Sequence, residues 1–145
     1  MSFPTPIPGL VIRYSFLWSH EAKAGAEEGR KDRPCAVLLS LRSKNGRDVI
    51  TVLPVTHTPP SHPDLAVEIP RATKARLGLD GGRSWIILDE ANRFTWPGPD
   101  LRPVPGADQG TIAYGLLPEA FYNIVREKWL AAYDLGRARQ TKRSD

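Results

Sequence analysis

The chain has 145 residues, 41% of them hydrophobic and 25% charged, with a net charge of +4. That is the make-up of one ordinary globular domain, able to bury a core without covalent staples. A single cysteine, Cys35, excludes an intramolecular disulfide and suits a reducing, cytoplasmic setting, while no run approaches the ~18 apolar residues of a membrane span.

The N-terminus MSFPTPIPGL lacks the charged and apolar regions of a secretion signal. Residues 1–8 alternate proline with small residues and are expected to form a loose arm. Gly9 opens a β-branched and aromatic run, Leu10 to Trp18, which reads as a strand. Residues 19–33 are polar and interrupted by Gly25 and Gly29, so a long loop is expected there. Pro34 to Arg42 reads as a buried strand with Cys35 as a small core residue. Asn45-Gly46 signals a hairpin, and Asp48 to Thr56 returns as the paired strand. Pro54 places that strand at an edge or a bulge.

A second polar loop, residues 57–64, leads to a short strand, Leu65 to Ile69. One or two helical turns follow between Pro70 and Gly78, then a turn at Asp80-Gly81-Gly82. Ser84 to Asp89 reads as a strand running into residues 90–96, and residues 97–110 show no regular element. Tyr114 to Leu117 leads into the one long helix, from Pro118 to about Tyr133. There Phe121, Ile124, Val125, Lys128, Trp129 and Ala132 recur at three- and four-residue intervals. Gly136 ends it, and residues 136–145 read as a disordered basic tail. The fold class is mainly β: a small, partly closed barrel over residues 9–135 with its C-terminal helix packed outside.

The three histidines, His20, His57 and His62, lack metal-ligand spacing, so neither metal nor cofactor is expected. Cys35 sits in an apolar strand rather than an electropositive, exposed setting, which argues against a nucleophile. What remains is a set of polar residues at strand ends: His20, Glu21, Arg33, Thr56, His57, Asp89, Asn92 and Arg93. Their chemistry matches RNA cleavage, in which the ribose 2′-OH attacks the adjacent phosphate. Arg33 and Thr56 would hold the phosphoryl oxygens, and His20 or Asp89 would move protons. Each also has an ordinary reading, as a surface arginine, a strand-end threonine, a turn cap or a solvated histidine. Trp18, Trp85 and Trp96 could stack bases or simply fill the core. From chemistry alone, RNA cleavage is one possibility among others.

The same residues carry a resemblance. Pro8-Gly9-Leu10-Val11-Ile12, Ser19-His20-Glu21, Arg33-Pro34-Cys35-Ala36-Val37-Leu38-Leu39-Ser40, Val52-Leu53-Pro54-Val55-Thr56 and Trp85-Ile86-Ile87-Leu88-Asp89-Glu90 with Asn92-Arg93-Phe94-Thr95 occur in that order before a closing helix. This order resembles the PemK/MazF/Kid-type toxins of type II toxin–antitoxin systems, over residues 8–133. The resemblance implies an SH3-like barrel, a homodimer, metal-independent cleavage of single-stranded RNA, and a cognate antitoxin protein as partner. It implies catalytic roles for Arg33, Thr56, His20 and Asp89, and RNA contacts by Glu21, His57, Asn92, Arg93 and Thr95. There are departures: the loop from His20 to Arg33 is long, and Ile87 stands where some members carry a second arginine. The alternative is a catalytically inactive barrel that binds a protein partner, as the gyrase-poisoning CcdB-type toxins do, or RNA.

Overall fold

A computed structural model describes residues 3–26, 29, 31–107 and 110–143. Eight strands and three helices follow in chain order: β1 (Leu10–Tyr14), α1 (Ser19–Lys23), β2 (Arg33–Arg42), β3 (Asp48–Thr56), β4 (Ala66–Glu68), α2 (Arg71–Leu77), β5 (Trp85–Ile87), β6 (Glu90–Thr95), β7 (Ala113–Leu116), α3 (Glu119–Asp134) and β8 (Arg139–Lys142). The strands form one sheet in the order β4-β5-β3-β2-β1-β7, with β6 on β3 and β8 on β6. All pairs are antiparallel except β6 with β8, and the sheet does not close on itself among the described residues. The fold is therefore mainly β, with the longest helix near the C-terminus. No helix among the described residues is long and apolar enough to cross a membrane.

The β2–β3 hairpin is the frame. Its strands pair from Cys35↔Pro54 to Arg42↔Asp48, and Ser43 N–H closes the turn on the Arg47 carbonyl at 2.7 Å. Gly46 takes φ +82° inside that turn, a left-handed conformation that favours glycine. On its other side β3 changes partner, from β6 along Val49–Val52 to β5 at Val55–Thr56. Pro54, expected at an edge or a bulge, lies in a central strand but in the gap between those two partners.

Because strand side chains alternate, each frame strand serves two cores. Val11, Ala36, Leu38, Leu53 and Val55 pack with Leu77 of α2 and Phe121, Val125 and Trp129 of α3. Ile12, Tyr14, Cys35, Val37, Ile50 and Val52 pack on the other face with Phe94, Leu101 and Ile112. Helix α3 buries Phe121, Val125, Trp129 and Ala132 of the stripe expected, while Ile124 and Lys128 lie on its exposed side.

Three expectations need correction. Residues 19–23 form α1 rather than loop, since Glu21 Oε1 accepts the Trp18 N–H at 3.0 Å and satisfies the helix start. The strand expected over Leu10–Trp18 ends at Tyr14, with β7 extending the sheet beside it. The C-terminal segment, expected to be a disordered tail, carries a strand: residues Arg139–Lys142 pair with β6. Arg143 is buried, ion-paired to Asp100 at 2.8 Å and bonded to the Ser15 carbonyl and Asn92 Oδ1. Basic composition alone concealed a strand, and the residue after it fills a polar socket. In the N-terminal arm, Pro6 is buried and the Phe3 ring meets Trp96 edge-on.

Candidate functional site

Carrying the Cys35↔Pro54 register two residues further sets Arg33, at the start of β2, opposite Thr56, at the end of β3. Both strands end there, so the two side chains stand at the mouth of the sheet. Two clefts meet at this point. The first, about 360 Å³, is lined by Arg13, Arg33, Thr56, His57, Asp80 and Tyr114, among others. The second, about 210 Å³, is lined by Trp18, Thr56, His62, Ile87 and Asp89, among others. Thr56 borders both.

Arg33 lies over the Trp18 ring, 5.1 Å from its centroid, and Nη1 donates to the Val55 carbonyl at 3.4 Å. Its buried Nε has no hydrogen-bond partner among the described residues. Burial pulls the guanidinium pKa down, and the nearby Cys35 and Glu21 offset this in part. A stacked, half-buried guanidinium at a cleft wall is a ready partner for a phosphate oxygen. Beside it, Cys35 is fully buried, and burial drives its thiol pKa up against the pull of Arg33 and Arg143. It is a core residue, not a nucleophile.

The Trp18 that supports Arg33 is itself held. Asn92 is fully buried; its Oδ1 accepts the Leu17 N–H at 2.8 Å and its Nδ2 donates to the Leu17 carbonyl at 2.7 Å. Glu90 accepts the Ser19 N–H at 2.8 Å. Asn92, expected to contact RNA, thus acts as a clamp on the segment before α1. Glu21, also expected to contact RNA, is buried as the α1 cap.

The expected residues therefore divide. Arg33, Thr56 and His57 share the first cleft, and Thr56 and Asp89 share the second. His20 is exposed on α1 and lines neither. Arg93 and Thr95 line a different cleft, with Val49, Phe94, Lys142 and Arg143, because β6 carries them along the sheet away from the β2 start.

One group escaped the sequence reading. His57 Nε2 is 2.8 Å from Asp80 Oδ2, and its Nδ1 is 3.0 Å from the Arg83 carbonyl and 3.1 Å from Ser84 Oγ. Lys74 of α2 is buried, with Nζ donating to Asp80 Oδ1 at 3.2 Å, to Ser84 Oγ at 2.7 Å and to the Gly82 carbonyl. Burial alone would raise the Asp80 pKa, but the Lys74 hydrogen bond and the charges of His57 and Lys74 together hold it below the usual aspartate value. Asp80-Gly81-Gly82 reads as a plain turn, and nothing local in sequence ties it to Lys74 or His57. Arg13, whose Nη1 donates to the Tyr114 hydroxyl at 3.1 Å, adds another cation to the same cleft.

Among the described residues no group of three or more His, Cys, Asp or Glu side chains could hold a metal ion. The site is thus a pair of clefts joined at Thr56, with a stacked arginine over one and a held Asp–His pair inside it. No protein-family model matches this chain, and comparison with curated proteins and with solved structures finds no match to it either.

Proposed function

We propose that this chain is a metal-independent endoribonuclease of the PemK/MazF/Kid toxin type, built on an SH3-like, partly closed barrel. It cleaves single-stranded RNA in the cytoplasm by 2′-OH attack on the adjacent phosphodiester. Its partners are a second copy of itself and an antitoxin protein that occupies the RNA groove. The observation that carries the reading is Arg33, stacked on Trp18 at the wall of a cleft that also holds Thr56. Negative charge grows on the phosphoryl oxygens during attack, and donors fixed before the reaction stabilise it most. Thr56 supplies a hydroxyl at the junction of the clefts, and Asp89 supplies a carboxylate on the second side. Trp18 offers a ring beside that cleft on which a base can stack.

One observation favours the binding-only alternative. Ile87, in the second cleft, stands where some toxins of this type carry an arginine, and Leu65 and two prolines line the same cleft. A single assay separates the two. Purified protein is incubated with long single-stranded RNA in EDTA, beside Arg33→Ala, and cut sites are read by primer extension. Discrete cuts by the wild type and none by Arg33→Ala are expected. Folded wild-type protein that leaves varied RNAs intact would move the function to protein binding, and a requirement for a divalent ion would overturn the site chemistry.

A further inference from the structure

We propose that Arg13 binds the phosphate next to the scissile one, so that the substrate lays at least two consecutive phosphates across the first cleft. The inference rests on the ribonuclease reading and names a binding residue that the resemblance does not supply.

Three observations carry it. First, the backbone is shaped to hold this side chain. Pairing between β1 and β7 steps from Val11↔Gly115 to Ile12↔Ala113, which leaves Tyr114 as the extra residue of a β-bulge. Gly115 beside it takes φ +139°, which favours glycine. A bulge re-aims the side chain it carries. Here the Tyr114 hydroxyl accepts from Arg13 Nη1 at 3.1 Å, and both residues line the first cleft. That bond uses one of the five N–H donors of the guanidinium, and its acceptor is a hydroxyl rather than a carboxylate. The group is fixed without being neutralised.

Second, the charge of the cleft is unbalanced. Asp32 pairs with Arg102 at 3.6 Å, and Asp80 pairs with Lys74 and His57. Arg13 has no carboxylate partner among the described residues and is half-buried. A fixed guanidinium without a counter-charge is a ready seat for a phosphate from solution. Third, Arg13 stands beside the start of β2. It faces Pro34 in register, one residue along from Arg33 on a strand about 4.8 Å away. With the scissile phosphate between Arg33 and Thr56, a cleft of about 360 Å³ leaves Arg13 the adjoining phosphate of the same strand. Lys31, the third cation of the cleft, is exposed and has no such tether among the described residues.

A neighbouring phosphate bears the same charge before and during cleavage. Arg13 therefore strengthens the bound substrate and the transition state alike, and its loss falls on KM rather than kcat. Arg33, on the reacting phosphate, acts on kcat.

The test uses the full chain and short RNAs centred on a mapped cut site. The phosphate on one side or the other of the cut is replaced by an uncharged methylphosphonate. For the wild type, replacement at one of these two positions should lower kcat/KM about 10-fold, mainly through KM. Arg13→Ala should be about 10-fold slower on the parent RNA and indifferent to that replacement, because the partner is already gone. Arg13→Gln, which keeps most of the half-buried stem, should behave alike. Tyr114→Phe should lose part of the wild-type sensitivity. Circular dichroism checks that each variant folds. Arg13 variants as sensitive to the replacement as the wild type, a wild type sensitive at neither position, or a loss confined to kcat would overturn the inference while leaving the ribonuclease standing. Parent RNA left intact by the wild type would overturn both.

Discussion

Arg33 combines a charge, a flat surface lying on Trp18 and a forked set of donors. Arg33→Lys keeps only the charge. It should lower kcat by about 10²-fold, the usual loss for one transition-state donor, with a smaller change in KM, measured on a defined RNA. Asp80 gives a second test at this scale. Its pKa is depressed in the fold, so its contribution to stability is complete above the ordinary aspartate pKa of about 3.9 and is lost as pH falls through the lower folded value. Asp80→Asn should therefore lower stability at pH 7 and lose most of that deficit near pH 2, followed by urea unfolding. The cost at pH 7 should be about 1 kcal/mol, modest because Asp80 is well exposed, although its partner Lys74 is buried.

At the scale of the element, β8 is tied by more than its ladder to β6. Arg143 lies over the Tyr14 ring, bonds to the Ser15 carbonyl and to Asn92, and pairs with buried Asp100. Asn92 in turn grips Leu17, which precedes the Trp18 under Arg33. The C-terminal strand is thus linked by contacts to the cleft, without any of its residues lining it. Arg143→Ala removes the 2.8 Å ion pair of the buried Asp100 carboxylate. The expected cost is about 3 kcal/mol, read as a lower urea midpoint. In α3, Trp129→Ala should cost about 3–5 kcal/mol by opening a cavity between helix and sheet.

For the molecule as a whole, three cations, Arg13, Lys31 and Arg33, line one cleft. Three neutralised phosphates on a single strand give a slope of about −2 for log affinity against log salt. Titration with a 2′-deoxy analogue, which lacks the attacking hydroxyl, should return that slope for the wild type, and Arg33→Ala should make it shallower by about 0.7. A slope near zero would mean that the cleft does not take the RNA backbone.

Composition, the apolar runs and the turn residues determined a mainly β domain, the β2–β3 hairpin, the short α2 and the stripe of α3. These follow from local rules: alternation in strands, three- and four-residue spacing in helices, glycine where the chain turns left-handed. Arg33 and Thr56 were also legible as strand ends, but it is the register shift between Val37 and Leu39, not the hairpin turn, that sets them opposite each other. Tertiary structure decided the rest. It placed Asn92 and Glu21 inside as hydrogen-bonding clamps, turned His20 outward and took Arg93 and Thr95 along β6 to another cleft. It made a strand of a basic tail, where Arg143 meets Asp100 and Ser15, 43 and 128 residues away in sequence. It also joined Lys74, Asp80 and Ser84 to His57, because Lys74 of α2 reaches the loop that precedes β5, a contact between segments whose residues, read singly, are an ordinary helix and an ordinary turn.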